Sequence, residues 1–299
     1  MPLPPSLFLI GAQKAGTTYL ATLLGQHPDV CLSEPKEPHY FTQHWEKGED
    51  WYQACFPRPE RRFLLDASPS YSAAPLGSEL GEAYPPSRMA HVPERIAIMA
   101  PDARFIYLMR DPVGRTYSSY WHSVRAGNEQ RSFAEVIRND SYYLRMGCYF
   151  HQLEHYFKHF DRDRFQLLFF EDFIKAPQVV ANRCLSWLGL SPMADLRLAQ
   201  GKNESYTYGP VLTWLNRRLS REGGLKWLTR NAKRIVPHSV LRAWRVALTE
   251  QIPPLAQEDR EWLADYFAEP NRQLETELGL QLPGWTSRSS VSIGSLPTT

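Results

Sequence analysis

No stretch of this sequence is long and apolar enough to cross a bilayer, so it offers no candidate transmembrane helix. Cysteine is scarce. Cys31, Cys55, Cys148 and Cys184 stand far apart, which argues against both metal-ligand spacing and a dense disulfide framework. Neither sign of charge is in excess: 34 Lys and Arg against 32 Asp and Glu leave a net charge of +2. That balance gives no support to a general nucleic-acid binder, and any anion site must be built locally. The opening Met1-Pro2-Leu3-Pro4-Pro5-Ser6 lacks a basic region and an apolar signal core. A soluble protein of a reducing, cytoplasmic compartment is therefore expected. Asn139-Asp140-Ser141 and Asn203-Glu204-Ser205 match the glycosylation pattern and are read as chance in that compartment. Internal repeats are also lacking.

What is present is apolar material, 43% of the 299 residues with 13% aromatic, enough for one large domain over residues 1–285. Residues 286–299 read as a polar, disordered tail. Leu7–Ile10 is a short apolar run stopped by Gly11 and predicts a buried strand. Gly16–Gly25 carries leucines at helical spacing. Further strands are expected at Phe63–Leu65, Arg104–Met109 and Phe165–Phe170, and helices from Pro112 to about Arg125, at Tyr149–Phe160, at Ala176–Leu188 and at Gln257–Leu278. Strands alternating with helices imply an α/β fold, a parallel sheet flanked by helices on both faces, with ligands at the carboxyl ends of its strands. Residues 206–250 are rich in Arg, Lys and Trp and read as a mostly helical cap or insertion. Its basic face is compatible with an anionic acceptor or with peripheral membrane contact.

Gly11-Ala12-Gln13-Lys14-Ala15-Gly16-Thr17-Thr18 follows the first strand and opens a helix. Glycines let the backbone wrap an anion, and the free N–H groups of the helix start then point at it. Gly11, Gly16 and Thr18 fit the frame of the nucleoside-triphosphate loop, but Thr17 stands where that loop has its lysine. The lysine lies inside the loop, at Lys14. A kinase-type loop uses its lysine on the outer phosphates and its Ser/Thr on Mg²⁺. This loop is suited instead to a shorter anion with a bridging oxygen near Lys14. A second anion anchor is expected where the RFIYLM strand ends, at Arg110-Asp111-Pro112. An arginine there faces the ligand crevice with a fork suited to phosphate. Ser118, about two helical turns along, adds a hydroxyl.

These two blocks resemble those of sulfotransferases that use 3′-phosphoadenosine 5′-phosphosulfate (PAPS). The first looks like the 5′-phosphosulfate loop (Lys14, Ala15, Gly16, Thr17, Thr18), the second like the 3′-phosphate motif (Arg110, Ser118). The resemblance spans roughly the first two-thirds of the chain and is nearest the heparan sulfate and bacterial branch. The cytosolic branch typically has Tyr-Pro-Lys-Ser-Gly where this chain has Ala12-Gln13-Lys14-Ala15-Gly16. The resemblance implies a P-loop-like fold, PAPS as sulfuryl donor without a metal, and a hydroxyl-bearing acceptor (a glycan, a lipid or a small molecule). It places a catalytic glutamate on Glu37 and an active-site histidine on His39, within Glu34-Pro35-Lys36-Glu37-Pro38-His39-Tyr40-Phe41. In-line displacement at sulfur needs a base for the acceptor proton and a cation for the leaving oxygen, for which Lys14 is the candidate. An extended Glu37-Pro38-His39 sets both side chains on one face, and the two are interchangeable as base. Ala67 stands where heparan-type enzymes often have lysine, and their Lys-Gly-Arg loop before the last helix is not found. Tyr19 occupies the position of an adenine-stacking tryptophan, with core packing an equal reading. His151, His155 and His159 recur every four residues and read as a solvated helix face, with no metal site expected. The competing functions are a nucleotide kinase and a non-catalytic nucleotide-binding protein. The displaced lysine and the lack of a clear Mg²⁺-binding aspartate speak against the kinase.

Overall fold

A computed structural model describes residues 6–72, 91–139, 141–198, 206–208 and 249–285. Its centre is a five-stranded, all-parallel sheet of β1 (Ser6–Gly11), β2 (Val30–Leu32), β3 (Phe63–Asp66), β4 (Arg104–Met109) and β5 (Phe165–Phe169), in the order β2-β3-β1-β4-β5. Every residue of β1 is buried, as expected of a strand covered on both faces. The aromatic side chains sit in register: Phe8 pairs with Phe105, and Phe105 with Phe165. Their rings stack across three strands, with centroids 5.7 Å and 4.7 Å apart. Such cross-strand pairs fix register, because a one-residue slip turns each ring to the other face.

The chain leaves β1 toward β2 and β3 on one side, then returns to build β4 and β5 on the other. The strand order therefore reverses at β1, and the crevice at its carboxyl end is the ligand position of such folds. Two elements begin there: α1 (Thr17–Leu24), after β1, and α5 (Pro112–Ala126), after β4. Between them in sequence lie the short helices α2 (Tyr40–Gln43) and α3 (Glu49–Gln53) and the longer α4 (Val92–Met99). After α5 come α6 (Phe133–Asn139), α7 (Ser141–Arg145), α8 (Tyr149–Tyr156), α9 (Phe170–Lys175) and α10 (Pro177–Trp187). The last helix, α11 (Gln257–Leu278), packs Leu263 and Phe267 with Val113, Tyr120, Val136 and Leu144 in a second apolar cluster beside the main core.

The expected strands and long helices are present, with α8 stopping at Tyr156 rather than Phe160. β2 and the helices α2, α3, α4, α6, α7 and α9 are additions. The ends of the segment read as a cap are not helical. Tyr206–Tyr208 and Thr249–Gln251 pair as an antiparallel ribbon, β6 and β7, in keeping with the strand preference of Tyr and Thr. Residues 209–248, with the Arg/Trp-rich stretch, and the tail 286–299 lie outside the described residues. No helix among the described residues is long and apolar enough to cross a membrane, and the four cysteines are free.

Candidate active site

The loop after β1 is shaped by close packing. A Cβ on Gly11 would come within 2.6 Å of Ser72 Oγ and of the Tyr107 ring, so only glycine fits. The Ala12 N–H donates to the Leu108 carbonyl at 2.7 Å and holds the start of the loop to β4. Lys14 (φ 71°) and Gly16 (φ 87°) then adopt left-handed backbone. For the lysine this is an uncommon conformation, costing about 1–2 kcal/mol, of the kind found where a loop is shaped for a ligand. Gly16 caps α1 without a side-chain acceptor, and no acidic residue lies in the first turn. The Tyr19 and Leu20 amides bond the Gly16 carbonyl. The Thr17 and Thr18 amides lie at a helix start, where intrahelical acceptors are lacking, and such amides bind oxyanions. Ala15 is buried and its N–H donates to the Ala12 carbonyl at 3.1 Å, so it shapes the turn.

The second anchor closes on the first. Arg110 leaves the end of β4, and its Nη1 donates to the Lys14 carbonyl at 2.9 Å. Its guanidinium lies over the Phe170 ring, 4.7 Å from the centroid. The Tyr149 hydroxyl donates to the Arg110 carbonyl at 2.6 Å and ties the strand end to α8. Asp111 caps α5, accepting from the Val113 and Gly114 amides at 3.1 and 3.2 Å. Ser118 is half-buried on α5. Its neighbour Ser119 reaches the loop, with Oγ 3.4 Å from Gln13 Oε1. Arg115, fully buried, donates to Thr116 Oγ1 and the Tyr143 carbonyl and serves packing rather than the crevice.

A third segment, Ser33–His39, completes the crevice. Lys36 Nζ lies 3.2 Å from Thr18 Oγ1 and 2.5 Å from Glu37 Oε1, joining the start of α1 to the glutamate. The other carboxylate oxygen is 3.3 Å from His39 Nε2. His39 is left-handed (φ 52°), not extended as expected. The two side chains meet nonetheless, because the turn is fixed from below. The His39 N–H donates to Ser68 Oγ at 3.0 Å, and Nδ1 lies 2.8 Å from Ser70 Oγ. Ser68 in turn donates to Asp66 at 2.6 Å. Asp66, wholly buried at the end of β3, also accepts from Tyr52 and Tyr71 at 3.0 and 2.6 Å. Burial pushes its pKa up against these three donors.

The electrostatics of the crevice suit an anion. Burial, then Arg125 and Arg110, lower the Lys14 ammonium to about 8, while Glu37 opposes them. Burial works to raise Glu37, but hydrogen bonds from His39 and Lys36 outweigh it and hold the carboxyl at about 2. On α5, partial burial followed by Lys14 and Arg125 presses His122 down to about 4. Positive groups thus crowd the crevice against their own repulsion, a cost an anion there relieves.

Lys14, Gly16, Thr17, Thr18, Arg110, Glu37 and His39 gather at one end of the sheet. Tyr19 packs on Phe173, centroids 5.3 Å apart, which favours the packing reading. Sequence reasoning left Lys36, Ser68, Ser70, His122 and Arg125 unassigned. Of these only Lys36 carried a signal, as a cation beside Glu37.

A family model described as the sulfotransferase domain matches residues 4–208. The human heparan sulfate glucosamine 3-O-sulfotransferase 3B1 is 28% identical over 196 residues, covering 62% of this chain and 46% of the relative. The mouse bifunctional heparan sulfate N-deacetylase/N-sulfotransferase 3 is 26% identical over 313 residues, 94% of this chain and 31% of the relative. The chain therefore spans about half, or less, of the length of these curated relatives. Among solved structures, a sulfotransferase from Alicyclobacillus acidocaldarius shares the fold, with a TM-score of 0.64 at 22% identity, covering 95% of this chain and 99% of that one. The matched region takes in the loop after β1, the Glu37 segment and the Arg110 anchor, and the chain belongs to the sulfotransferase domain family.

Proposed function

We propose that this chain transfers the sulfuryl group of PAPS to a hydroxyl of a carbohydrate or small-molecule acceptor. One observation carries the reading. The Arg110 guanidinium bonds the Lys14 carbonyl, which brings the loop after β1 and the end of β4 into one crevice, and the crowded cations there favour an anion. A donor with a phosphosulfate at one end and a phosphate at the other matches that pairing. Bound PAPS supplies a sulfuryl group on a phosphate leaving oxygen. The Thr17 and Thr18 amides and hydroxyls hold the 5′ end, with Ala15 and Gly16 shaping the turn, and Arg110 and Ser118 hold the 3′-phosphate. The Lys14 ammonium carries the negative charge that grows as the acceptor attacks. Glu37, ionised at neutral pH, takes the acceptor proton, while His39 and Lys36 fix the carboxylate.

The test is a calorimetric titration of the purified chain with 3′-phosphoadenosine 5′-phosphate (PAP), then transfer from radiolabelled PAPS to a panel of glycans, lipid-linked sugars and small hydroxyl compounds. Saturable binding and a labelled hydroxyl product are expected. Binding of ATP with magnesium in place of PAP overturns the reading in favour of phosphoryl transfer. PAP binding with no transfer to any acceptor leaves a binding protein.

A further inference from the structure

Four of the chain's nine histidines, His91, His151, His155 and His159, gather around two glutamates on the surface of α4 and α8, a group the sulfuryl-transfer reading does not use. Its core is the spacing His151-x-x-Glu154-His155. On a helix the two histidines lie one turn apart on the same face, and Glu154 falls between them. The rings meet edge to face with centroids 5.4 Å apart. His151 Nδ1 is 2.8 Å from Glu154 Oε1, and His155 Nε2 is 3.9 Å from the same oxygen. One ligand atom from each of the three residues lies within 4.8 Å of the other two.

We infer that His151, Glu154 and His155 form a binding site for a divalent transition-metal ion of the zinc class. Two imidazoles and a carboxylate, each 2.0–2.2 Å from a shared Zn²⁺ in tetrahedral arrangement, lie roughly 3.3 Å from one another. The two spacings to Glu154, 2.8 and 3.9 Å, bracket that value, and the remaining pair of ligand atoms lies within 4.8 Å. A water completes the coordination. The donor set is too rich in nitrogen for Mg²⁺ or Ca²⁺ and lacks the thiolates that select Cu(I). Metal binding needs unprotonated imidazole. Glu94, on α4, extends the group from the other side, 3.6 Å from His159 and 3.8 Å from His91. It adds negative charge around the ion and links α4 to the turn that follows α8. The sequence expectation of a plain solvated face did not include Glu154 and could not include Glu94, which is remote in sequence.

The test uses the full chain without a histidine tag and titrates ZnCl₂ calorimetrically, with Co²⁺ absorption as a second readout of nitrogen and oxygen ligation. One ion per chain is expected. His155→Ala should weaken binding by more than about tenfold, since loss of a ligand costs at least as much as loss of the groups that support one. Glu154→Gln should weaken it less, and the double variant His151→Ala/His155→Ala should abolish it. These side chains are partly exposed, so the variants keep the fold, and unchanged PAP affinity in each separates this site from the donor site. Absence of saturable Zn²⁺ uptake, or equal affinity in the double variant, overturns the inference.

Discussion

Lys14 holds its charge against its surroundings. Its ammonium sits at about 8 because of burial and two neighbouring arginines, so in the donor-free protein it is charged below pH 8 and becomes neutral above. The pH dependence of kcat/KM reports the free enzyme. It should therefore fall on the alkaline side with a midpoint near pH 8, and Lys14→Arg, whose charge does not titrate in this range, should remove that limb. Lys14→Ala should lower kcat by about 10²–10³-fold, with a smaller loss of PAP affinity, because the charge is needed most in the transition state. Glu37, at about 2, stays ionised through the working range and contributes no acid limb near neutrality. Glu37→Gln should lower kcat by about 10²–10⁴-fold with PAP affinity retained. Steady-state kinetics beside PAP titrations check all three. Lys14 and Arg110 were legible in sequence because each stands at a strand end at a telling offset. The roles of Lys36 and Ser68 were not, because they arise from contacts across 18 and 29 residues, to Thr18 and to His39.

Among the elements, the turn after β3 does more than its sequence suggested. Asp66-Ala67-Ser68-Pro69 reads as a stop signal. In the fold its aspartate gathers three hydroxyl donors, and its serine sets the backbone of His39. Ala67, at the position where the resemblance implies a lysine, is wholly buried. Ser68→Ala removes the acceptor of the His39 amide and one donor to a buried carboxylate. It should cost about 1–3 kcal/mol in urea unfolding and reduce turnover with little change in PAP affinity. Retained stability together with retained turnover would deny Ser68 this positioning role. The strands with continuous apolar runs and the long helices were legible from pattern, down to α11 at Gln257–Leu278. β2, three residues long, and the helices α2, α3, α4, α6, α7 and α9, none longer than eight residues, were not. Such short pieces have no periodicity to read, and tertiary contacts hold them.

For the molecule as a whole, a donor gripped by both halves of the sheet should bind the folded chain and not the unfolded one. PAP at 100 times its Kd then adds about 2.7 kcal/mol, and the thermal midpoint should rise by roughly 4 °C. Differential scanning calorimetry reads this directly, and Arg110→Ala should shrink the shift in proportion to its lost affinity. The fold class was legible because alternation of strand and helix admits few topologies. The strand order was not, because nothing in β1 names its partners. Those partners lie far along the chain: Leu7 pairs with Leu65 on one side and Arg104 on the other, and Ala12 bonds Leu108. On a ribosome the apolar strand β1 therefore emerges with both edges bare; β3 can cover one edge only once Leu65 is made, and β4 the other only once Arg104 is made. The nascent chain is a candidate for chaperone capture throughout that interval, and a fragment ending before Leu108 lacks the carbonyl that anchors the loop after β1.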